Sequence, residues 1–262
     1  MTTSDIATAH RLADAAGEVI RSFFRGSWDE KEKEDYSVVT EADQAAESAM
    51  RSILESHLPS DGVVGEEFGV VNEGASRQWV LDPIDGTLSF IAGRPIFGTL
   101  IALLQDGWPV LGIIDQPVLG ERWVGVVGRN TTFNGQPVRT RSNSSLAGSR
   151  VATTSPHAFA ESEIDAYLRL IAKAYPNEAF PLYGGDCYNY GLLASGHLDI
   201  VIESGLKLHD YAALIPVVEG AGGFMSDWQG DPLDADSDGS VIALGDSARL
   251  RDVLDAMSGT SH

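Results

Sequence analysis

The chain has 262 residues, of which 43% are hydrophobic and 21% charged, a composition typical of a globular protein with a substantial core. Its net charge of −20 argues against nucleic-acid and anionic-membrane partners, and no apolar run is long enough to span a bilayer. Cys187 is the only cysteine, so an internal disulfide is excluded. Since the acidic N-terminal stretch does not resemble a signal peptide, the sequence predicts a cytoplasmic protein.

The first predicted elements are two helices and a set of strands. Apolar residues recur at helical spacing over residues 5–24. Thr40 and Asp43 are spaced as in a capping box, which predicts a second helix ending near Leu58. Asn134-Gly135 predicts a turn. The predicted strands before this turn cover residues 78–81, 97–104, 109–115 and 122–127.

A polar segment at residues 140–145 predicts a connection between two lobes. We expect an N-terminal lobe over residues 1–145 and a C-terminal lobe over residues 146–262. The strands and helices alternate in blocks, which favours layered sheets over a Rossmann sheet. The C-terminal lobe is predicted to contain strands at 150–153, 199–203 and 240–244 and helices at 160–174, 186–195, 210–221 and 247–257.

The segment from Trp79 to Thr87 carries the strongest chemical signal. Its first three residues are apolar and predict a short buried strand, and Asp82 and Asp85 follow on either side of Pro83. Because the proline restrains its own backbone and that of the residue before it, we expect both carboxylates in a defined turn. Hard oxygen ligands beside a predicted helix start are what a magnesium-assisted phosphate site needs.

Two more carboxylates lie at the ends of predicted elements. Glu66 follows the apolar run Val63-Val64-Gly65, and Asp210 precedes the apolar helix that begins at Tyr211. A purely structural role stays open for Asp210 as a helix cap and for Asp85 as an N-cap or Asx-turn residue. Asp82 is harder to explain structurally, because it ends an apolar strand immediately before a proline.

These residues resemble the motifs of the inositol monophosphatase superfamily of Mg²⁺-dependent, lithium-sensitive phosphatases. The resemblance implies an α+β fold of the layered αβαβα sugar-phosphatase type, with mixed and antiparallel sheets sandwiched between helix layers. It also implies a homodimer. The matching motifs, in the family's order, are Val39–Asp43, Gly65-Glu66-Glu67, Asp82–Thr87, and Asp210 with Ala221-Gly222-Gly223.

The resemblance also implies a Mg²⁺ site with two ions, and a third ion near Glu66 and Asp43. Thr87 would position the attacking water, Glu66 would assist its deprotonation, and the amides of Gly86 and Thr87 would hold phosphate oxygens. Four carboxylates and a phosphate monoester together carry a charge of about −6, which about three divalent ions would balance. The implied metal ligands are Glu66, Asp82, the Ile84 carbonyl, Asp85 and Asp210.

The segment between Gly184 and Asp210 resembles the histidinol-phosphate phosphatase branch of this superfamily. The matching residues in this segment are Asp186-Cys187-Tyr188 and Gly205-Leu206-Lys207, and Phe97–Ala102 also matches the branch. His209 replaces the tryptophan of typical inositol phosphatases. L-Histidinol phosphate carries an ammonium and an imidazole, so extra carboxylates would have a purpose in its pocket. Leu88 departs from the branch pattern and puts a nearby phosphate contact in question. The candidate substrate contacts are Gly86, Thr87, Asp186, Asn189, Glu203 and Asp210.

Other substrates, other phosphatase classes and a non-catalytic role are alternatives to this hypothesis. The substrate could be inositol 1-phosphate or another sugar phosphate, or the chain could be a catalytically silent scaffold. A haloacid-dehalogenase-type phosphatase is disfavoured because its aspartates are two residues apart, whereas Asp82 and Asp85 are three apart. A cysteine phosphatase would need an arginine a loop's length after Cys187, where residue 193 is leucine. His197 and His209 lack metal-ligand spacing and are predicted to be structural or pocket-lining.

Overall fold

A computed structural model describes residues 2–26, 30–32, 38–177 and 180–259 of the chain, so small parts of both predicted lobes lie outside the described residues. The helices are α1 (Thr3–Phe23), α2 (Glu41–His57), α3 (Thr87–Ile91), α4 (Glu161–Ala174), α5 (Tyr188–Ala194), α6 (Leu208–Tyr211), α7 (Leu214–Gly220) and α8 (Leu250–Ser258). Short 3₁₀ turns cover Pro156–Ala158 and Ser247–Arg249.

The strands form a two-stranded ribbon and two larger sheets. They are β1 (Glu30–Glu32), β2 (Val38–Thr40), β3 (Gly62–Gly65), β4 (Gly69–Val71), β5 (Arg77–Asp85), β6 (Gly98–Gln105), β7 (Trp108–Gln116), β8 (Glu121–Val126), β9 (Thr132–Phe133), β10 (Gln136–Pro137), β11 (Val151–Thr153), β12 (Leu182–Tyr183), β13 (Ile200–Glu203), β14 (Phe224–Ser226) and β15 (Val241–Leu244).

Both larger sheets are mixed, and each is built from one half of the chain. The first has the order β10-β9-β8-β7-β6-β5-β3-β4, with β3 and β5 parallel and the other neighbours antiparallel. The second has the order β12-β11-β13-β15-β14, with β11 parallel to both of its neighbours. The predicted boundary at residue 145 falls between the two sheets and remains a prediction about domains.

The helices form three layers around these sheets. α1 and α2 pack together, with α1 on β6 and β7 and α2 on β5 of the first sheet, and α4 and α8 pack together on the second sheet. α5 and α7 lie between the sheets, where one buried cluster joins side chains from both. A Cβ at Gly112 would lie 1.9 Å from the Ala213 carbonyl oxygen, so glycine lets β7 approach the start of α7. The predicted αβαβα layering and α+β class are confirmed.

Local signals account for the long helices. α1 and α2 each begin at a capping box, in which Thr2 pairs with Asp5 and Thr40 with Asp43. The hairpin between β9 and β10 turns at Asn134-Gly135, where both residues have positive φ. The short strands β4, β12 and β14 were not predicted, because such short runs show no clear periodicity.

Within the described part of the chain, every helix is too short or too polar to cross a membrane.

Candidate active site

Three carboxylates from two elements converge at one end of the first sheet. Asp82 and Asp85 belong to β5, and Asp210 belongs to α6. Each of the three offers an oxygen that lies within 4.8 Å of the oxygens of the other two. Sequence analysis singled out all three residues, and the structure brings them together.

An irregularity in β5 turns Asp82 and Asp85 toward this point. The prediction that both residues lie in a turn is wrong, because β5 continues to Asp85 with a register shift against β6 after Asp82. Pro83 has no N–H for the ladder, and its carbonyl accepts a hydrogen bond from the Thr99 hydroxyl at 2.8 Å. The bulge therefore lets two residues of one strand contribute to a common site.

Asp82 is the most buried of the three carboxylates, at 2% exposure. Its Oδ1 atom has no hydrogen-bond partner among the described residues. Burying an unpaired carboxylate oxygen is costly unless a cation or a proton neutralises it. This orphaned oxygen, within an all-oxygen donor set, fits a hard divalent cation.

Burial and mutual repulsion raise the pKa of every carboxylate in the cluster. For Asp82 the largest cause is burial, followed by the charges of Glu66 and Asp85. For Asp85 burial again comes first, and the charge of Asp186 comes second. Such a cluster stays ionised at neutral pH only if positive charge compensates it.

Asp85 and Asp210 are each oriented by one backbone N–H. The Cys187 amide donates to Asp85 Oδ2 at 2.5 Å, and the Lys207 amide donates to Asp210 Oδ2 at 2.6 Å. The predicted helix 210–221 is wrong at its start and in its middle: α6 begins at Leu208, and a separate helix, α7, follows. Asp210 thus combines a capping role with a place in the cluster, so the two roles are not exclusive.

His209 lies beside this cluster and is not among the carboxylates that form it. Its Nε2 atom is 3.5 Å from Asp210 Oδ1, and its charge when protonated lowers the pKa of Asp210 against the larger effect of burial. The expectation that His209 is structural or lines a pocket stays a prediction.

Glu66 and Asp43 lie near the cluster without sharing its 4.8 Å group. Glu66 follows β3 as predicted, its amide donates to the Leu81 carbonyl at 3.2 Å, and its charge raises the pKa of Asp82, Asp210 and Asp43. Burial raises the pKa of Asp43 to about 7, although its carboxylate accepts from the amide and hydroxyl of Thr40. Asp43 therefore caps α2 within reach of the Glu66 charge.

A buried side chain on α2 holds the turn that carries Glu66. Glu47 Oε2 accepts from the Glu67 amide at 2.8 Å, and Oε1 accepts from the Phe68 amide at 3.2 Å and from Arg51 Nε at 2.7 Å. Sequence reasoning missed Glu47, because one acidic residue on a polar helix gives no signal until the packing is known.

The turn after Asp85 has a left-handed backbone that favours glycine. Gly86 has a φ of +91° and caps α3, and a Cβ there would lie 2.6 Å from Asp186 Oδ2. The Thr87 hydroxyl donates to the Ile84 carbonyl at 3.2 Å, so this pair of predicted site groups is in contact. Leu88 is 71% exposed at the start of α3.

A cavity of about 130 Å³ adjoins two of the three carboxylates. Asp85 and Asp210 line it, together with Asp186 and Glu203. Among its described lining residues none is a lysine, arginine or histidine. The remaining lining residues are Thr154, Ala158, Cys187, Tyr190, Ser204, Leu206 and Leu214.

Asp186 lines the cavity and is the last of three consecutive residues with positive φ angles. Gly184, Gly185 and Asp186 have φ values of +80°, +115° and +42°. The Ser89 hydroxyl donates to Asp186 Oδ2 at 3.1 Å. Burial is the largest cause of the raised pKa of Asp186. Aspartate tolerates a left-handed backbone better than most residues, and such strain is often kept at functional sites.

Glu203 lies at the end of β13, opposite the end of the parallel strand β11. Its carboxylate accepts from the amide and hydroxyl of Thr154 at 2.7 and 2.9 Å and from the Thr153 hydroxyl at 3.2 Å. Burial raises the pKa of Glu203 to about 7 despite these bonds. The two threonines were not predicted, because their role depends on which strand pairs with β13.

Asn189 is placed beside the cavity and is not one of its lining residues. Its side chain is 4% exposed and donates to the Gly184 carbonyl at 3.0 Å. The structure thus gives Asn189 a role in holding the glycine turn that presents Asp186. Ser89 and Tyr190 are the opposite case, since neither was predicted and both contact this region.

The chain is similar to several known proteins. The model of the inositol monophosphatase family matches residues 2–256. The chain is 51% identical to the "Bifunctional phosphatase IMPL2, chloroplastic" of Arabidopsis thaliana, over 96% of this chain and 74% of the relative. It is 37% identical to a histidinol-phosphatase of Chlorobaculum parvum, over 92% of each chain. A solved structure of an inositol monophosphatase from Zymomonas mobilis is 51% identical, with a TM-score of 0.88 over 98% of this chain and 100% of that one.

Proposed function

Because the chain belongs to the inositol monophosphatase family and is a phosphatase of that family, we propose that it hydrolyses L-histidinol phosphate to L-histidinol and phosphate with Mg²⁺ as cofactor. The observation that carries the substrate assignment is the charge of the cavity. Asp186 and Glu203 line it together with Asp85 and Asp210, and none of its described lining residues is a lysine, arginine or histidine, while the charge of Arg94 acts on Asp186 from outside the lining. A substrate with a cationic leaving group is the natural complement of such a cavity.

Asp82, Asp85 and Asp210 would hold the Mg²⁺ ions, with Glu66 and the Ile84 carbonyl as further ligands. When bound, Mg²⁺ would lower the pKa of a coordinated water and would neutralise charge on the phosphate and the leaving oxygen. The family resemblance implies two ions in this ligand set and a third near Glu66 and Asp43.

The chain's own groups handle the proton and the phosphate. Glu66 would accept the proton of the attacking water, with Thr87 and Asp43 assisting its position. The amides of Gly86 and Thr87 would donate to phosphate oxygens at the start of α3, where the left-handed Gly86 leaves the backbone open. The L-histidinol leaving group would extend from its ester oxygen into the cavity beside Asp186.

The cationic end of the substrate would be held by carboxylates that are already oriented. Ser89 orients Asp186, and two threonines orient Glu203. Since burial raises the pKa of both residues, an ammonium or imidazolium would favour their ionised forms on binding. A charge-assisted hydrogen bond in such a site contributes about 1.5–3 kcal/mol. The homodimer and the cytoplasmic location stay predictions, and the Arabidopsis relative carries a chloroplastic name.

A second candidate is the hydrolysis of inositol 1-phosphate or another sugar phosphate. The observation that favours it is the 51% identity to the structure from Zymomonas mobilis, which is described as an inositol monophosphatase. The deciding experiment measures phosphate release with Mg²⁺ from L-histidinol phosphate, inositol 1-phosphate and glycerol 2-phosphate. We expect kcat/KM to be at least about tenfold higher for L-histidinol phosphate. Equal values would reject the substrate assignment, and no release from any ester would indicate a silent scaffold.

Asp186→Asn is expected to lower kcat/KM for L-histidinol phosphate by about 10-fold or more, because the amide loses the charge that pairs with the ammonium or imidazolium. Hydrolysis of glycerol 2-phosphate should change little, since that ester has no cation to bind. Steady-state kinetics on both substrates measure the difference. An equal loss on both would mean that Asp186 does not recognise the cation.

Mg²⁺ is expected to raise the melting temperature more at pH 8 than at pH 5.5. Asp43 and Glu203 each have a pKa raised to about 7, above the unfolded value, so their protonated forms favour folding below about pH 4 and this stability is lost as pH rises toward 7. The carboxylates of the cluster have raised pKa values for the same reason. Mg²⁺ binds only the ionised carboxylates and stabilises the folded state by mass action.

Thermal unfolding in EDTA and in Mg²⁺ at both pH values measures this effect. In EDTA the melting temperature should fall between pH 5.5 and 8, and Mg²⁺ should restore it at pH 8. A Mg²⁺ effect that is equal at both pH values would contradict the assignment of Asp82, Asp85 and Asp210 to a metal site.

A further inference from the structure

Tyr190 on α5 carries a buried hydroxyl that the proposed mechanism does not use. The residue is 2% exposed and lines the cavity. Its hydroxyl has no hydrogen-bond partner within the described part of the chain. A buried phenol usually finds a partner, so an unpartnered one beside a cavity points to a bond made with whatever the cavity binds.

The other described tyrosines show how unusual this is. Each of their hydroxyls has a partner inside the protein: Tyr167 donates to Tyr183 at 3.3 Å, Tyr175 accepts from the Val151 amide at 2.9 Å, Tyr188 donates to Glu121 at 2.6 Å, and Tyr211 donates to the Asp234 carbonyl at 2.7 Å. Tyr190 is therefore an exception that its cavity position accounts for.

The surroundings of the Tyr190 hydroxyl restrict what it can bind. The charges of Glu203, Asp85 and Asp210 act on it, and the cavity has no described cationic lining residue. Under the proposed function Asp85 and Asp210 hold metal, whereas Asp186 and Glu203 face the leaving group. A ligand that donates N–H groups and carries positive charge would satisfy both the carboxylates and the oxygen lone pairs of the phenol.

We propose that the Tyr190 hydroxyl accepts a hydrogen bond from the nitrogen-bearing end of the phosphate ester and makes the enzyme selective for amine-containing esters. The inference rests on the proposed function and adds a specificity-determining residue to it. Asp186 and Glu203 supply charge, Tyr190 supplies a neutral acceptor, and Leu206 and Leu214 add apolar surface to the same cavity.

Tyr190→Phe tests the inference, because it removes only the hydroxyl. We expect kcat/KM for L-histidinol phosphate to fall about 10-fold or more, and kcat/KM for glycerol 2-phosphate to stay within about twofold. Since the hydroxyl has no described partner in the protein, the melting temperature without ligand should not fall. Added L-histidinol should raise the melting temperature of the variant less than that of the wild type.

Tyr188→Phe is the matched control, because it removes the same atom from the same helix. The Tyr188 hydroxyl donates to Glu121 and does not line the cavity. This variant should lose melting temperature and keep the wild-type ratio of kcat/KM for the two esters. Tyr190→Phe should therefore change selectivity and not stability, whereas Tyr188→Phe should change stability and not selectivity.

Each result decides the inference. A selective loss in Tyr190→Phe with an undiminished melting temperature supports it. Unchanged kinetics, an equal loss on both esters, or a fall in melting temperature like that of Tyr188→Phe overturns it while the proposed function stands. If the wild type itself shows no preference for L-histidinol phosphate, the proposed function fails and this inference fails with it.

Discussion

Replacing Asp82 by asparagine is expected to reduce Mg²⁺-dependent phosphate release by about 1,000-fold or more while the fold is kept. The asparagine has almost the same shape as the aspartate, but it removes one negative charge from the centre of the cluster. It also places either a neutral oxygen or an N–H donor where the orphaned Oδ1 atom now lies. Without metal, the variant should be at least as stable as the wild type, because the buried charge and its repulsion with Glu66 and Asp85 are removed.

Asp61→Asn is the matched control for this prediction. Asp61 is also buried and lies beside β5, but its Oδ2 atom accepts from Trp79 Nε1 at 3.0 Å and from Arg77 Nε at 3.3 Å. Its replacement should lower the free energy of unfolding and leave the Mg²⁺ dependence of activity unchanged. Urea unfolding and phosphate release on both variants measure the contrast. Wild-type activity in Asp82→Asn would remove Asp82 from the metal site.

Replacing Glu47 by alanine is expected to lower the free energy of unfolding by about 3–5 kcal/mol, because it leaves the Arg51 guanidinium buried without its charge partner. The Glu47 side chain is fully buried, and it also accepts from the amides of Glu67 and Phe68. Losing these bonds frees the turn that carries Glu66. We therefore expect the Mg²⁺ concentration needed for half-maximal activity to rise as well.

The chain contains an exposed ion pair with the same helical spacing, which serves as a control. On α8, Arg251 Nε lies 3.7 Å from Asp255 Oδ2, and the two side chains are 82% and 37% exposed. Asp255→Ala should therefore cost less than about 1 kcal/mol. Urea unfolding of Glu47→Ala and Asp255→Ala gives the two values. Similar small losses in both would mean that Glu47 does not hold the turn.

The sequence was informative about the site because its carboxylates lie at the ends of recognisable elements. Asp82 and Asp85 follow an apolar strand, and Glu66 follows another, so alternation and strand ends were enough to select them. Their convergence depends on β3 and β5 running parallel side by side, which the structure supplies. The bulge at Pro83 was not predicted, because whether a chain turns or continues after a proline depends on the strand next to it.

The parts of the site that sequence analysis missed depend on contacts between distant segments. Tyr190 and Asn189 share one helix, and no pattern in the sequence distinguishes the residue that lines the cavity from the one that holds the glycine turn. Glu47 likewise gains its role from a turn 20 residues later in the chain. Thr154 gains its role from a strand residue 49 residues later. Carboxylates at strand ends could therefore be selected from the sequence, whereas Glu47 and Thr154 could not, and Asn189 was selected for a different role.

The proposed metal site requires that Asp82, Asp85 and Asp210 bind a divalent cation together. Crystals grown with Mn²⁺ in place of Mg²⁺, with anomalous diffraction recorded at the manganese edge, measure this without an assay of activity. We expect an anomalous peak about 2.0–2.5 Å from a carboxylate oxygen of each of the three residues, and none there in Asp82→Asn. Full Mn²⁺ occupancy elsewhere in the molecule, with these three carboxylates protonated and bonded to one another, would contradict the account.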